Sequence, residues 1–204
     1  MAKKLIIWDF DGVIVNTTKI GHAMHAPHYP DMTMEEYLDI FTENANLGFE
    51  AFESRRVETD FDSSAYYIEK LLELEADMHM HNIVASLAKH YHMGIVTSSR
   101  GSGVRTYLRK HNLEQYFDFV FGQELGFSKA EKIKKALADS KVEASDAIFI
   151  TDTLGDIKEA NHCGVKSIGV TWGFHEKERL SKGRPDAIVE TPEDLEAVVR
   201  GMLK

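Results

Sequence analysis

Two pairs of aspartates carry most of the chemistry open to this chain. Asp9 and Asp11 close the apolar run Leu5-Ile6-Ile7-Trp8, and Asp152 and Asp156 close a second, Ala147-Ile148-Phe149-Ile150-Thr151. Short apolar runs bounded by Asp and Gly read as buried strands of a parallel sheet, and ligands of such sheets collect beyond the carboxyl ends of the strands. Four carboxylates would then share one crevice. Negative charge so concentrated is costly without a cation, and hard oxygen ligands suit Mg²⁺. Within Asp9-Phe10-Asp11-Gly12, a spacing of two puts both carboxyls on one side of an extended chain, while Gly12 frees the backbone to turn toward a ligand. One carboxylate can attack while its neighbour handles protons.

This cluster resembles the first motif of the haloacid dehalogenase superfamily of phosphohydrolases, Asp-x-Asp-Gly after the first strand. Three further motifs follow in the family's order. Met93-Gly94-Ile95-Val96-Thr97-Ser98 has the form of the second, a strand ending in a hydroxyl residue. Ser128-Lys129-Ala130-Glu131 has the form of the third, a lysine in the first turn of a helix, with a capping-box spacing that starts the helix; Lys132 is the fallback. Thr151-Asp152-Thr153-Leu154-Gly155-Asp156 supplies the acidic pair of the fourth, with Thr151 where Gly or another acid is common. The resemblance implies a Mg²⁺-dependent phosphatase acting on a small phosphorylated metabolite, closest in pattern to the phosphoglycolate phosphatase branch, although Asn16 stands where that branch often has Asp. Asp9 is the implied nucleophile and Asp11 the implied acid and base. Thr97, Ser98 and Lys129 are implied to hold the phosphoryl oxygens. The metal would fall to Asp9, Asp11 (through its backbone carbonyl) and Asp152, with Asp156 supporting from behind.

The elements that must position these residues alternate short apolar strands with amphipathic helices, the pattern of an α/β fold with a Rossmann-like parallel sheet and helices on both faces. Strands are expected near 4–9, 93–97, 118–121, 147–151 and 166–170, with a weaker one at 186–189. About 65 residues separate Val15 from the next core element, more than a crossover helix needs. Thr33 with Glu36 heads a helix over 34–44, and Tyr67, Leu71, Leu74 and Met78 mark a further helical stripe. Residues 15–81 therefore read as a helical insertion, and residues 1–14 with 82–204 as the core. In the resembled family such an insertion is a mobile cap that closes over the site.

Composition sets outer bounds. The 204 residues are 43% hydrophobic, enough for one core and a small second domain, and the formal net charge of −9 disfavours a nucleic-acid partner and offers no basic tract for a membrane surface. One cysteine, Cys163, cannot make an internal disulfide, which points to a reducing cytoplasm. The Lys3-Lys4 start with its short apolar run is cut by Asp9 before a signal sequence is complete.

Other residues have plainer readings. His22, His25 and His28 recur at three-residue steps, but Pro27 and Pro30 interrupt any helix that would align them on a metal. Arg55 and Arg56 are either a solvated helix face or substrate contacts from the insertion. Trp172-Gly173-Phe174-His175 reads as loop packing. Within the resembled family, a dehalogenase or phosphonatase lacks the acid at Asp11, and a β-phosphoglucomutase-like enzyme carries a hinge histidine at the position of Gly21, one place from His22. A non-catalytic protein of the same fold that binds a phosphorylated ligand is the alternative outside enzymes.

Overall fold

The computed structural model describes residues 4–126 and 128–204; the charged start at residues 1–3 lies outside the described residues. Six strands, β1 (Leu5–Trp8), β2 (His92–Val96), β3 (Phe119–Phe121), β4 (Ala147–Thr151), β5 (Lys166–Val170) and β6 (Ala187–Val189), form one sheet in the order β3-β2-β1-β4-β5-β6. Every pairing is parallel. Chain order reverses at β1, which lies between β2 and β4, and this switch point is where an open α/β sheet forms its crevice.

Strand alternation explains why such short runs suffice. Ile6 and Trp8 face one side of the sheet with Ile148 and Ile150, while Leu5 and Ile7 face the other with Phe149. Both faces are covered, so all four residues of β1 are fully buried. Between β1 and β2 come α1 (Thr18–His25), α2 (Met34–Asp39), α3 (Ala45–Glu50), α4 (Ser63–Glu73) and α5 (Met78–Leu87); α6 (Gly101–Lys110) follows β2, and α7 (Lys129–Ser140) follows β3. The chain continues with α8 (Leu154–His162), α9 (Lys177–Ser181) and α10 (Pro192–Met202). Helices α5, α6 and α10 bury Val84, Tyr107 and Val199 on the first face, and α7 and α8 bury Ile133 and Ala160 on the second. No helix among the described residues is long and apolar enough to cross a membrane.

Two expected helices change course. The helix headed by the Thr33/Glu36 capping box ends at Asp39, and residues 40–42 tighten into a 3₁₀ turn. There the Thr42 hydroxyl donates to the Asp39 carbonyl at 2.7 Å, a local bond that competes with helical continuation. The stripe from Tyr67 to Met78 is split, because Leu74 is extended and the Asp77 carboxylate accepts from the His79 amide to start α5. Tyr67 and Leu71 are buried on α4, whereas Met78 is exposed on α5. The expected boundary between residues 81 and 82 thus falls inside α5, a helix packed against α10.

Candidate active site

Asp9 and Asp152 sit one residue past the ends of two adjacent strands. The Asp9 amide donates to the Ile150 carbonyl at 2.8 Å, which extends the β1–β4 ladder to the point where both carboxylates emerge. Asp9 is 3% and Asp152 1% exposed. Lys129, in the first turn of α7 behind the Ser128/Glu131 capping box, brings its ammonium 2.6 Å from Asp9 Oδ2 and 2.6 Å from Asp156 Oδ2. Asp156 also accepts from the Thr151 hydroxyl at 2.7 Å. Thr151, unusual at its place in the motif, therefore holds the carboxylate that shares the lysine. Lys132 donates instead to the Thr97 carbonyl at 2.8 Å and fixes the end of β2.

Two buried ammoniums, Lys129 and Lys132, meet three buried carboxylates, and since Lys132 is turned to the Thr97 carbonyl the charges do not balance. Burial pushes the Asp9 carboxyl well above its ordinary range against the pull of Lys129, with Asp156 and Asp152 adding to the rise. Burial also pushes Asp152 up to about 7, opposed by the Phe174 amide. Asp156 goes the other way, because Lys129 and its hydrogen bonds outweigh its burial. Lys129 is held well above the usual lysine range, since Asp156 and Asp9 outweigh the desolvation that works against it. A further cation beside Asp9 and Asp152 would restore both to their charged forms.

The atoms available to such a cation are few. The Phe174 amide donates to Asp152 Oδ2 at 2.7 Å, and Asp152 Oδ1 is buried without a hydrogen-bond partner. Gly12, at φ +74°, and Gly173 both press on this carboxylate: a Cβ on either would lie 1.8 Å or 2.1 Å from Oδ2. No three His, Cys, Asp or Glu side chains among the described residues form a ready metal cluster; Lys129 takes one oxygen each of Asp9 and Asp156, and the Asp11 side chain is held by hydroxyls.

The Asp11 carboxylate is held by four hydroxyls. Thr17 donates to Oδ1 at 2.7 Å and Tyr67 donates to the same atom; Ser99 and Thr97 donate to Oδ2 at 2.7 and 3.2 Å. Thr97 also accepts from the Ser99 amide at 2.9 Å. Ser98 is exposed at the lip of the crevice. Spacing alone could not reveal Thr17, Tyr67 and Ser99, which come from separate stretches of chain. Only Ser99 carried a signal, as the next hydroxyl after Thr97-Ser98.

Asp9, Asp11, Ser98, Ser99, Lys129 and Asp152 line a cavity of about 550 Å³, roofed by residues of α1 to α4, among them His25, Tyr37, Phe49 and Tyr67; Thr97 is fully buried behind it. Of the histidine row, His22 bonds the Met32 carbonyl and His25 faces the cavity. Arg55 and Arg56 are exposed and pair with Glu36 and Glu53, outside the cavity lining. His175 bridges the Leu154 amide and the Leu38 carbonyl, tying the loop after β5 to α2.

Fold and crevice together define a Rossmann-like α/β protein with a lysine-countered acidic site at the switch point of its sheet. The chain belongs to the haloacid dehalogenase-like hydrolase family, whose profile matches residues 6–170. It is 23% identical to a phosphoglycolate phosphatase of Synechococcus elongatus, covering 98% of each chain, and 27% identical to the pyrophosphatase PpaX of Anoxybacillus flavithermus, covering 95% of each. Among solved structures, it superposes on a haloacid dehalogenase-like family hydrolase of Streptococcus pneumoniae with a TM-score of 0.77 and 21% identity, over 97% of this chain and 99% of that one.

Proposed function

We propose that this protein is a Mg²⁺-dependent phosphatase that hydrolyses a small phosphate monoester through an aspartyl-phosphate on Asp9. The observation that carries the reading is the pairing of a buried carboxylate at the switch point, Asp9, with a second, Asp11, two residues on, whose carboxylate is engaged among the described residues by hydroxyls alone. Asp9 attacks phosphorus; the bond from phosphorus to the ester oxygen breaks, and the leaving oxygen takes a proton from Asp11, which enters this step as the neutral carboxylic acid with one of its hydroxyl partners turned to accept. Asp11, now ionised, takes a proton from water as that water attacks phosphorus and the bond to Asp9 breaks. Lys129 offsets the charge on the Asp9 side and Ser98 serves the phosphoryl oxygens, whereas Thr97, expected beside them, is fully buried with its hydroxyl on Asp11 and acts by holding that carboxylate.

The residues fit Mg²⁺: Asp152 Oδ1 is buried without a partner, burial holds Asp9 and Asp152 above the ordinary carboxylate range even with Lys129 beside Asp9, and the Asp11 carbonyl would complete an all-oxygen set. When bound, the ion would spread the charge of the transferring phosphoryl group. Asp156 serves the site by holding Lys129. We read residues 15–81 as a cap over a core of 1–14 and 82–204, which would keep bulk water from the attack. The names of the relatives span a phosphoglycolate phosphatase and a pyrophosphatase. A mutase is disfavoured because a Cβ at Gly21 would lie 2.1 Å from the Tyr37 hydroxyl, so the hinge histidine has no room here.

The test is mass spectrometry and turnover with p-nitrophenyl phosphate, with and without Mg²⁺. Asp9→Asn should lose the intermediate and nearly all turnover. Asp11→Asn should still become phosphorylated, because this leaving group needs little protonation, and then hydrolyse slowly. Near-parental turnover by Asp9→Asn would overturn the reading.

A further inference from the structure

Tyr67 stands 56 residues from Asp11 in sequence, on α4, yet its hydroxyl donates to Asp11 Oδ1. The residue is 6% exposed and belongs to the main core cluster with Phe10, Ile14 and Leu71, so the ring is held in one place with its hydroxyl against Asp11 at the cavity wall. Helix α4 packs on α1 and α6, and Ser63 at its start donates to the Met24 carbonyl at 2.8 Å. The hydroxyl is therefore aimed by the helical insertion as a body. Thr97 and Ser99 reach Asp11 Oδ2 from the end of β2, whereas Thr17, just before α1, and Tyr67, on α4, reach Oδ1 from the insertion.

We propose that Tyr67 is a positioning residue, through which the helical insertion orients Asp11 for proton transfer to the leaving oxygen. The proposal rests on the phosphatase reading. With Tyr67 in place, Asp11 Oδ1 is pinned between two hydroxyls and its plane is set. Without the phenol O–H, Oδ1 keeps Thr17 alone of its two hydroxyls while Ser99 and Thr97 still hold Oδ2, so the carboxyl plane tilts and proton delivery loses part of the alignment on which general acid catalysis depends. The effect should scale with how much protonation the leaving group needs.

Tyr67→Phe keeps the ring and removes only the O–H. Its kcat/KM, measured with Mg²⁺ on esters of rising leaving-group basicity from p-nitrophenyl phosphate to simple alkyl phosphates, should fall about tenfold or more on the alkyl esters and less than about threefold on p-nitrophenyl phosphate. In an Asp11→Asn background, the same substitution should cost less than about twofold on any ester, since Tyr67 acts through Asp11. An even loss across the series, or equal losses in both backgrounds, would overturn the assignment, and unchanged kcat/KM on the alkyl esters would do the same. A parent protein that turns over no phosphate ester refutes the phosphatase reading and this role with it. An active parent with an even loss in the variant refutes Tyr67 alone. A thermal melt of Tyr67→Phe matching the parent within a few degrees confirms that the comparison concerns the site.

Discussion

The Phe174 amide and the Asp152 carboxylate share one hydrogen bond of 2.7 Å, and that bond decides which carboxylate oxygen remains open. The Phe174 ring stacks edge-on against Phe41 at 5.0 Å, so the loop that holds Asp152 leans on the helical insertion. Gly173 completes the arrangement, because any side chain there would strike Asp152.

Mg²⁺ binding should therefore respond to Gly173 as well as to the carboxylates. Gly173→Ala should weaken Mg²⁺ affinity about tenfold by displacing Asp152, and Asp152→Ala should weaken it more than Asp156→Ala. Isothermal titration of each variant checks the order. Equal affinities in Asp152→Ala, Asp156→Ala and the parent would remove the metal assignment.

Lys129 is the one ammonium shared by Asp9 and Asp156, and all three groups are buried. Lys129→Met leaves two carboxylates without their partner, a change worth about 3–5 kcal/mol of stability near neutral pH. The penalty should shrink toward pH 4, where the carboxylates can protonate. Urea denaturation at both pH values measures it, and a loss that does not depend on pH would mean that packing, rather than charge, is what the lysine supplies.

Much of this arrangement was legible in the sequence, and the rest fails for identifiable reasons. Strands with continuous apolar runs, such as β1 and β4, and helices with side-chain caps, such as α7, announce themselves locally. The break between α4 and α5 was hidden because Leu71, Leu74 and Met78 keep a helical rhythm across it, and only the Asp77 cap marks the new start. Asp9, Asp11, Lys129, Asp152 and Asp156 could be singled out because each lies at a strand end or a helix start. Tyr67 could not, since a tyrosine on an apolar stripe looks like core, and its ring is core; its hydroxyl acquires a partner only when α4 is laid across the sheet.

Arg55 is tied to Glu36 at 2.7 Å on an exposed surface and does not line the cavity. Arg55→Ala should leave kcat/KM within about twofold for esters with and without a carboxylate and cost less than about 1 kcal/mol of stability, as exposed ion pairs do. Steady-state kinetics over such a panel decides the point. Selective loss on carboxylate-bearing esters would bring this arginine into substrate recognition.

His25 offers a pH dependence separable from the carboxylates. Its ring lies 4.5 Å from that of Phe49 and 5.9 Å from that of Tyr37, facing the cavity. Burial, with the nearby His28 and His22, pushes it from 6.5 down to about 4. Between those values the unfolded chain binds a proton that the folded protein does not, so this contribution to stability is fully present above pH 6.5 and is lost as pH falls toward 4. From pH 7 to pH 5 the loss from this one group comes to about 2 kcal/mol. His25→Gln removes it. Urea melts of parent and variant at pH 7 and pH 5 should therefore show the parent losing about 2 kcal/mol more than the variant over that interval. Parallel losses would mean that His25 takes up its proton in the folded cavity as readily as in water, and that the aromatic roof admits solvent.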